Sequence, residues 1–192
     1  ALISQASCKR STSCCRYYYR DADHKLRNVP EVDNSCKWAG GGLLSTVTDL
    51  LIFANAMLYS YHAAASPQSP RSDSNQVNER KPLLDAETLK TFWSGVISDQ
   101  RGRVYALGWY KIDEADQEYG GLATAWTRKG VFMHTGAAVG ASSVLLLKPD
   151  RRGSNADGTC IAVLTNLHEC GELTQLAFEI AEIFDSAFPI ET

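Results

Sequence analysis

Hydrophobic residues recur at three- and four-residue spacing in two stretches of the chain, which predicts two amphipathic helices. Thr46 and Asp49 form a capping-box pattern near the start of the first stretch. We expect each helix to pack its apolar face against a sheet or another helix. The two predicted faces consist of Leu44, Val47, Leu50, Leu51, Ala54, Met57 and Leu58, and of Leu173, Leu176, Ala177, Ile180, Ile183 and Phe184.

Runs of apolar, aromatic and β-branched residues predict strands between these helices. Residues 104–112 form one such run, with Gly108 inside it, and residues 125–134 form another. Residues 142–147 and 160–165 are separated by a turn-rich connection, which predicts that they pair antiparallel as a long-looped hairpin. Strands followed by a covering terminal helix indicate an α+β fold, with an antiparallel sheet flanked by helices.

The distribution of polar residues divides the chain into three kinds of segment. Residues 1–37 form a polar, cysteine-rich N-terminal segment, in which Tyr17-Tyr18-Tyr19 is typical of a short strand. Residues 38–192 carry the core-forming patterns of one domain portion. Within them, residues 62–82 are rich in Ser, Pro, Asn and Arg, which predicts a mobile insertion. A short helix is expected to follow at residues 85–93, with Asp85 as its N-cap.

Length and charge exclude several classes of function. A chain of 192 residues can bury one sizeable core. Its net charge of -3 gives no reason to expect nucleic acid as a partner. No apolar stretch approaches the roughly 20 residues that a membrane span needs, and the N-terminus lacks a signal-peptide pattern. Because the first residue is Ala, we expect a processed product or a fragment.

The cysteine spacing argues against a metal site and against a disulfide scaffold. None of the cysteines forms a Cys-x-x-Cys motif, and two of them are adjacent, which does not suit a shared tetrahedral zinc site. We expect free thiols, no metal and no organic cofactor. The six cysteines are Cys8, Cys14, Cys15, Cys36, Cys160 and Cys170.

Three separated stretches carry a family resemblance. An apolar run is broken at His134-Thr135-Gly136, which resembles the third catalytic motif of the serine β-lactamase and penicillin-binding-protein superfamily. Residues 38–50 resemble its Gly-Gly, Ser-Thr and Asp-Leu segment, and Tyr105-Ala106-Leu107-Gly108-Trp109 resembles its Tyr-Gly-Leu-Gly-Trp strand. In detail the chain is similar to the mitochondrial serine β-lactamase-like members, which implies a mitochondrial location.

The resemblance implies a role for each residue of the third motif. Acyl transfer needs a nucleophile, a base and N–H groups aimed at the developing oxyanion. The backbone N–H of Ala137 would supply half of the oxyanion hole, although the family usually has Gly there. Thr135 would bind substrate, and Gly136 would keep the strand free of a Cβ. His134 stands where β-lactamases have Lys, and an imidazole is only partly charged near neutral pH, which favours peptide or ester substrates.

The superfamily's nucleophile motif, Ser-x-x-Lys, occurs nowhere in the chain. We therefore expect the C-terminal portion of a serine hydrolase or peptidase, inactive alone, whose parent is linked by resemblance to lipid metabolism. The alternative is a non-catalytic binding or assembly module that keeps the fold, and self-association remains open for either. His134 could also be a structural residue of an apolar strand. We expect His24, His62 and His168 to be solvated in loops.

Overall fold

The fold combines helices with antiparallel strands, as the sequence predicts. A computed structural model describes residues 3–4, 16–30, 32–33, 36–65, 81–94, 97–98, 104–112, 118–119, 122–123, 130–149 and 158–187. Of the predicted insertion, residues 66–80 lie outside this set, as do Cys8, Cys14 and Cys15. The α+β class is confirmed.

The described strands form one large antiparallel sheet and three small pairs. Their bounds are β1 (Ile3–Ser4), β2 (Tyr18–Arg20), β3 (Leu26–Asn28), β4 (Leu43–Leu44), β5 (Ile97–Ser98), β6 (Val104–Tyr105), β7 (Tyr110–Ile112), β8 (Glu118–Tyr119), β9 (Leu122–Ala123), β10 (Val131–Ala138), β11 (Ala141–Lys148) and β12 (Thr159–Thr165). The large sheet has the order β12-β11-β10-β7-β6-β5. The predicted hairpin is confirmed, because β11 and β12 pair antiparallel along their whole length. The small pairs are β1 with β4, β2 with β3 and β8 with β9.

The described residues also form three α-helices: α1 (Val47–Ala65), α2 (Ala86–Trp93) and α3 (Leu173–Ala187). Thr46 caps α1, since its Oγ1 accepts the backbone N–H of Asp49 at 3.1 Å. Asp85 caps α2 as predicted, and its carboxylate accepts the N–H of Thr88 at 2.8 Å. The hydrogen bond from the Thr88 backbone N–H, followed by the one from the Thr88 side chain, holds the pKa of Asp85 below its usual value. A π-helical turn, Trp38–Gly42, precedes β4 where the three glycines predict a sharp break.

Both faces of the central sheet are covered. On one face, α3 packs over a buried cluster that includes Met133, Val144 and Leu146. On the other face, α1 and α2 pack over a cluster that includes Phe132 and Leu147. Neighbouring residues of β10 and β11 point to opposite faces, so each strand supplies apolar side chains to both clusters. Strands β10 and β11 are therefore packed against helices on both faces.

The buried face of α3 differs from the predicted one. Leu173 and Ala177 are buried as expected, but Leu176, Ile183 and Phe184 are exposed. Phe178 and Ala181 are buried instead. Apolar residues at three- and four-residue spacing occur on more than one side of this helix, so the spacing does not decide which side packs against β11 and β12. On α1 the predicted Ala54, Met57 and Leu58 are buried, whereas Val47 is exposed.

Two strand boundaries also differ from those predicted. The run 104–112 is not one strand, because Gly108 has φ +76° and folds the chain back on itself. The N–H of Ala106 donates to the carbonyl of Trp109 at 2.7 Å, so β6 and β7 form a tight hairpin. The second run is a strand from Val131, and it continues four residues past His134. Residues 125–129 lie outside the described residues.

The N-terminal segment contains a hairpin that docks on the end of the sheet. The predicted strand at the tyrosines is confirmed as β2, which pairs with β3. The N–H of Tyr18 donates to the carbonyl of Asn166 at 2.9 Å, and the N–H of His168 donates to the carbonyl of Tyr18 at 2.8 Å. At the hairpin tip, Arg27 Nε donates to Asp21 at 2.7 Å and keeps the pKa of Asp21 below its usual value.

Ser60 ties α1 to the segment that enters α2. Its side chain is almost fully buried, and Oγ donates to the Ala56 carbonyl at 2.9 Å. The same oxygen accepts the N–H groups of Leu83 and Leu84 at 2.9 and 3.2 Å. One hydroxyl therefore serves three backbone groups across the predicted insertion.

We expect Ser60→Ala to lower the free energy of unfolding by about 1–3 kcal/mol, because it leaves partly buried N–H groups unpaired. Thr91→Val is the matched control. The Thr91 hydroxyl also donates to a helical carbonyl, but on an exposed surface, so its loss should change stability by less than about 0.5 kcal/mol. Urea unfolding followed by circular dichroism measures both values. Equal losses in the two variants would contradict this role of Ser60.

Candidate active site

The His-Thr-Gly motif lies where one side of β10 loses its strand partner. β10 pairs with β7 only at Val131, Phe132 and Met133, whereas it pairs with β11 through Ala138. Alternate residues of a strand direct their N–H groups to opposite sides. Within the part of the chain that the structure describes, the stretch from His134 to Ala138 is therefore an open sheet edge on the β7 side.

The four predicted site residues divide between the two faces of the sheet. Gly136 lies opposite Ser143, on the face covered further along by α1 and α2, and His134 lies opposite Leu145 with its ring turned towards Tyr105 and Tyr110 at the open edge. Thr135 and Ala137 point to the α3 face. His134 and Ala137 are exposed, and Thr135 and Gly136 are partly buried. The structure thus places the four predicted residues along one accessible strand.

His134 has a partner that the sequence analysis missed. The phenolic oxygen of Tyr105 lies 3.0 Å from Nε2 of His134, within hydrogen-bond distance. The two rings have centroids 6.0 Å apart, and Tyr110 contacts both of them. Tyr105 begins the second stretch that carries the family resemblance. The signal was therefore present, but reading residues 104–112 as one strand hid the turn that brings Tyr105 to this position.

Gly136 has little room for a side chain. A Cβ built on Gly136 would lie 2.2 Å from Oγ of Ser143 and 3.6 Å from its Cβ. The space is occupied by the Ser143 hydroxyl, which stands directly opposite on β11. The sequence analysis expected glycine here because it leaves the strand without a Cβ. In the structure, the group that a Cβ would meet is Ser143, a neighbour inside the sheet.

The turn at Gly140, which follows the motif, packs against the N-terminal hairpin and His168. Gly140 has φ +84°, and a Cβ there would lie 2.6 Å from Tyr17 and 2.9 Å from Val29 of the N-terminal hairpin. His168 Nδ1 lies 3.2 Å from the carbonyl oxygen of Ala138 and 3.4 Å from the backbone nitrogen of Gly140. His168 lies in a loop as expected, but it contacts this turn and is only partly exposed, so the expectation of a solvated side chain was wrong.

His24 and His62 also differ from one another in setting. His24 occupies an exposed turn with φ 61°, in line with the expectation. His62 lies in the last turns of α1, and its Nε2 is buried without a hydrogen-bond partner. Its ring meets the Tyr61 ring edge-on at 5.6 Å. The expectation of a solvated loop residue was therefore wrong for His62.

The described cysteines are free thiols, as expected for these three positions: Cys36, Cys160 and Cys170. Burial raises the pKa of Cys160 to about 12, so this thiol stays protonated near neutral pH and is a poor nucleophile. Within the described ranges, no three His, Cys, Asp or Glu side chains cluster as metal ligands. In the same residues, no helix is both long and apolar enough to cross a membrane.

Comparison with known proteins finds relatives that match most of this chain. No family model matches the chain. The mouse (Mus musculus) protein named serine beta-lactamase-like protein LACTB, mitochondrial, is 38% identical over 182 residues. The proteins of that name from cattle (Bos taurus) and human (Homo sapiens) are each 37% identical over the same length. This chain is similar to LACTB.

The LACTB resemblance covers most of this chain but only part of each relative. The matches include 88% of this chain and 31% of the relatives' length. The chain thus spans about a third of the length of the curated relatives it matches. The predicted resemblance to serine β-lactamase-like proteins is confirmed, and the relatives' names agree with the mitochondrial location that the resemblance implies.

We expect Gly136→Ala to lower the free energy of unfolding by about 0.5–1.5 kcal/mol, because the Ser143 hydroxyl must move out of its present rotamer to make room for the new methyl group. The double variant Gly136→Ala/Ser143→Ala should recover most of that loss, since the Ser143 Cβ lies at an ordinary contact distance. Gly171→Ala is the control, because its Cβ would meet nothing within 4 Å. Thermal unfolding of wild type, Gly136→Ala, Ser143→Ala, the double variant and the Gly171→Ala control tests the pair. Additive losses in the double variant would contradict the proposed contact.

Proposed function

We propose that this chain is the C-terminal portion of a LACTB-like serine hydrolase or peptidase of mitochondria. In this proposal, β10 contributes the His-Thr-Gly strand and half of the oxyanion hole to an active site. The nucleophile comes from a Ser-x-x-Lys motif that precedes this portion in the parent protein. The chain alone is then inactive, and the parent's link to lipid metabolism follows from the resemblance.

One observation carries the proposal: the motif coincides with the open edge of β10. Among the described residues, the strand pairs on both sides up to Met133 and on one side beyond it. An extended peptide or an ester substrate can lie along such an edge, because strand N–H groups are available there to bind its carbonyl oxygens. In this proposal, the substrate adds as a strand beside the motif residues.

The proposed acyl-transfer chemistry depends on the polar groups that the open edge of β10 offers to a substrate. In acyl transfer, the carbonyl oxygen of the substrate becomes an oxyanion, and a fixed backbone N–H stabilises that charge. Ala137 supplies such an N–H in this proposal, and its exposed position supports the assignment. Thr135 adds a hydroxyl that binds a substrate carbonyl or carboxylate. No acyl intermediate forms without a nucleophile, so the strand completes a site but cannot act by itself.

His134 determines the preferred charge of the substrate. An imidazole offers hydrogen bonding with only partial positive charge near neutral pH, whereas Lys is fully charged. A site with His at this position attracts anionic substrates less than a β-lactamase site does. Neutral peptides or esters are therefore the substrate class that we propose.

We expect the purified chain to show no reaction with a fluorophosphonate probe, because it lacks the paired serine and lysine of the nucleophile motif. The longer parent protein should be labelled once, at the serine of Ser-x-x-Lys. Mass spectrometry of the labelled peptides locates the site. Stoichiometric labelling of a serine within this chain would overturn the proposal. A parent without Ser-x-x-Lys would instead support the non-catalytic binding or assembly module.

In the parent protein, His134→Ala should reduce turnover by about 10²–10⁴-fold while the thermal midpoint stays nearly constant. The physical reason is that the variant removes an exposed imidazole from the substrate edge and little buried surface. His24→Ala is the matched control, since it removes an exposed imidazole from the N-terminal hairpin and not from β10. Unaltered turnover in folded His134→Ala protein would show that His134 is structural.

A further inference from the structure

Tyr105 stands in a position to control the imidazole of His134. Its phenolic oxygen lies 3.0 Å from Nε2 of His134, within hydrogen-bond distance. The centroid of the Tyr110 ring lies 4.7 Å from that of the Tyr105 ring and 6.3 Å from that of the imidazole. The orientation of His134 therefore depends on one hydroxyl and two neighbouring rings.

The backbone holds Tyr105 firmly. Tyr105 on β6 pairs with Tyr110 on β7, and Tyr110 pairs with Met133, the residue before His134. The tight turn at Gly108 closes this hairpin, and the flanking Ala106 and Trp109 are both buried. A side chain anchored at a closed turn loses little freedom when it forms a hydrogen bond, so the contact with His134 is preorganised.

Two directions are open to this bond, and the stronger one has the phenol, which is the more acidic partner, donating to the basic imidazole nitrogen. A phenol both donates and accepts, but a neutral imidazole nitrogen that carries no proton can only accept. When the Tyr105 hydroxyl donates to Nε2, the proton of the neutral imidazole must reside on Nδ1. The hydrogen bond made by one ring nitrogen thus decides which tautomer the other presents.

We propose that Tyr105 is a positioning residue that donates to Nε2 of His134 and fixes the Nδ1–H tautomer. His134 then offers a neutral hydrogen-bond donor, Nδ1–H, as its remaining polar atom. Such a donor suits the carbonyl oxygen of a peptide or ester and needs no positive charge. This inference rests on the proposed role of His134. It adds that the Tyr105 hydroxyl sets the tautomer of the imidazole.

The test measures the tautomer directly in this chain. Side-chain correlation spectra of the ¹⁵N-labelled protein, recorded at a pH where imidazoles are neutral, distinguish Nδ1–H from Nε2–H. The chain has four histidines, and the signal lost in His134→Ala identifies the one of interest. We expect the Nδ1–H form in wild type. We expect Tyr105→Phe, which keeps the ring, to shift His134 towards the Nε2–H form.

Tyr19→Phe removes a hydroxyl from another strand and should leave the His134 signals unchanged. A wild-type His134 in the Nε2–H form would overturn the proposal without any variant, so poor folding of Tyr105→Phe does not remove the test. Identical His134 signals in wild type and Tyr105→Phe would overturn it as well.

Turnover separates this inference from the proposed function. In the parent protein, Tyr105→Phe should lower turnover on the order of 10- to 100-fold, because the imidazole loses its fixed orientation. In the His134→Ala background, the same change should have no further effect. If His134→Ala leaves turnover unaltered, the proposed function fails while the tautomer result still stands. If the two losses multiply, Tyr105 does not act through His134.

Discussion

The structure depends on burying both faces of β10 and β11. Met133 and Leu146 reach α3, whereas Phe132 and Leu147 reach α1 and α2, and all four are almost fully buried. Each such side chain contributes about 1.5–3 kcal/mol when it leaves water. A one-residue shift in register would exchange the two sets of residues between the faces. This two-sided burial fixes the register of β10, and with it the positions of all residues further along that strand.

The candidate site begins where that burial ends. Up to Met133, β10 is apolar on both faces and has strand neighbours on both sides. From His134 onwards its residues are polar or small, and only β11 remains as its described neighbour. The same strand is therefore rigid structure in its first half and accessible surface in its second half. A reactive group placed just past a buried strand gains precise placement, because the buried half cannot move.

Local patterns predicted the helices, the long-looped hairpin and the motif strand, because each depends on neighbours close in sequence. The β6–β7 turn was missed because its aromatic and branched residues are typical of a strand, and only the left-handed conformation of Gly108 reveals the reversal. The exposed side of α3 was predicted wrongly because apolar residues occur on more than one side of this helix, so their spacing does not indicate which face approaches the sheet. The contact of Tyr105 with His134 spans 29 residues, and no local pattern encodes it.

The N-terminal hairpin imposes an order on folding. Its partners, Asn166 and His168, follow the last strand of the sheet, and the Asn166 amide donates to the carbonyl of Arg16, 150 residues earlier. During synthesis the hairpin emerges long before these partners exist. It must remain undocked until β12 has left the ribosome, and such distant contacts form slowly. The turn that follows the motif is braced by this hairpin, so the candidate site reaches its final shape only after Asn166 and His168 have been synthesised.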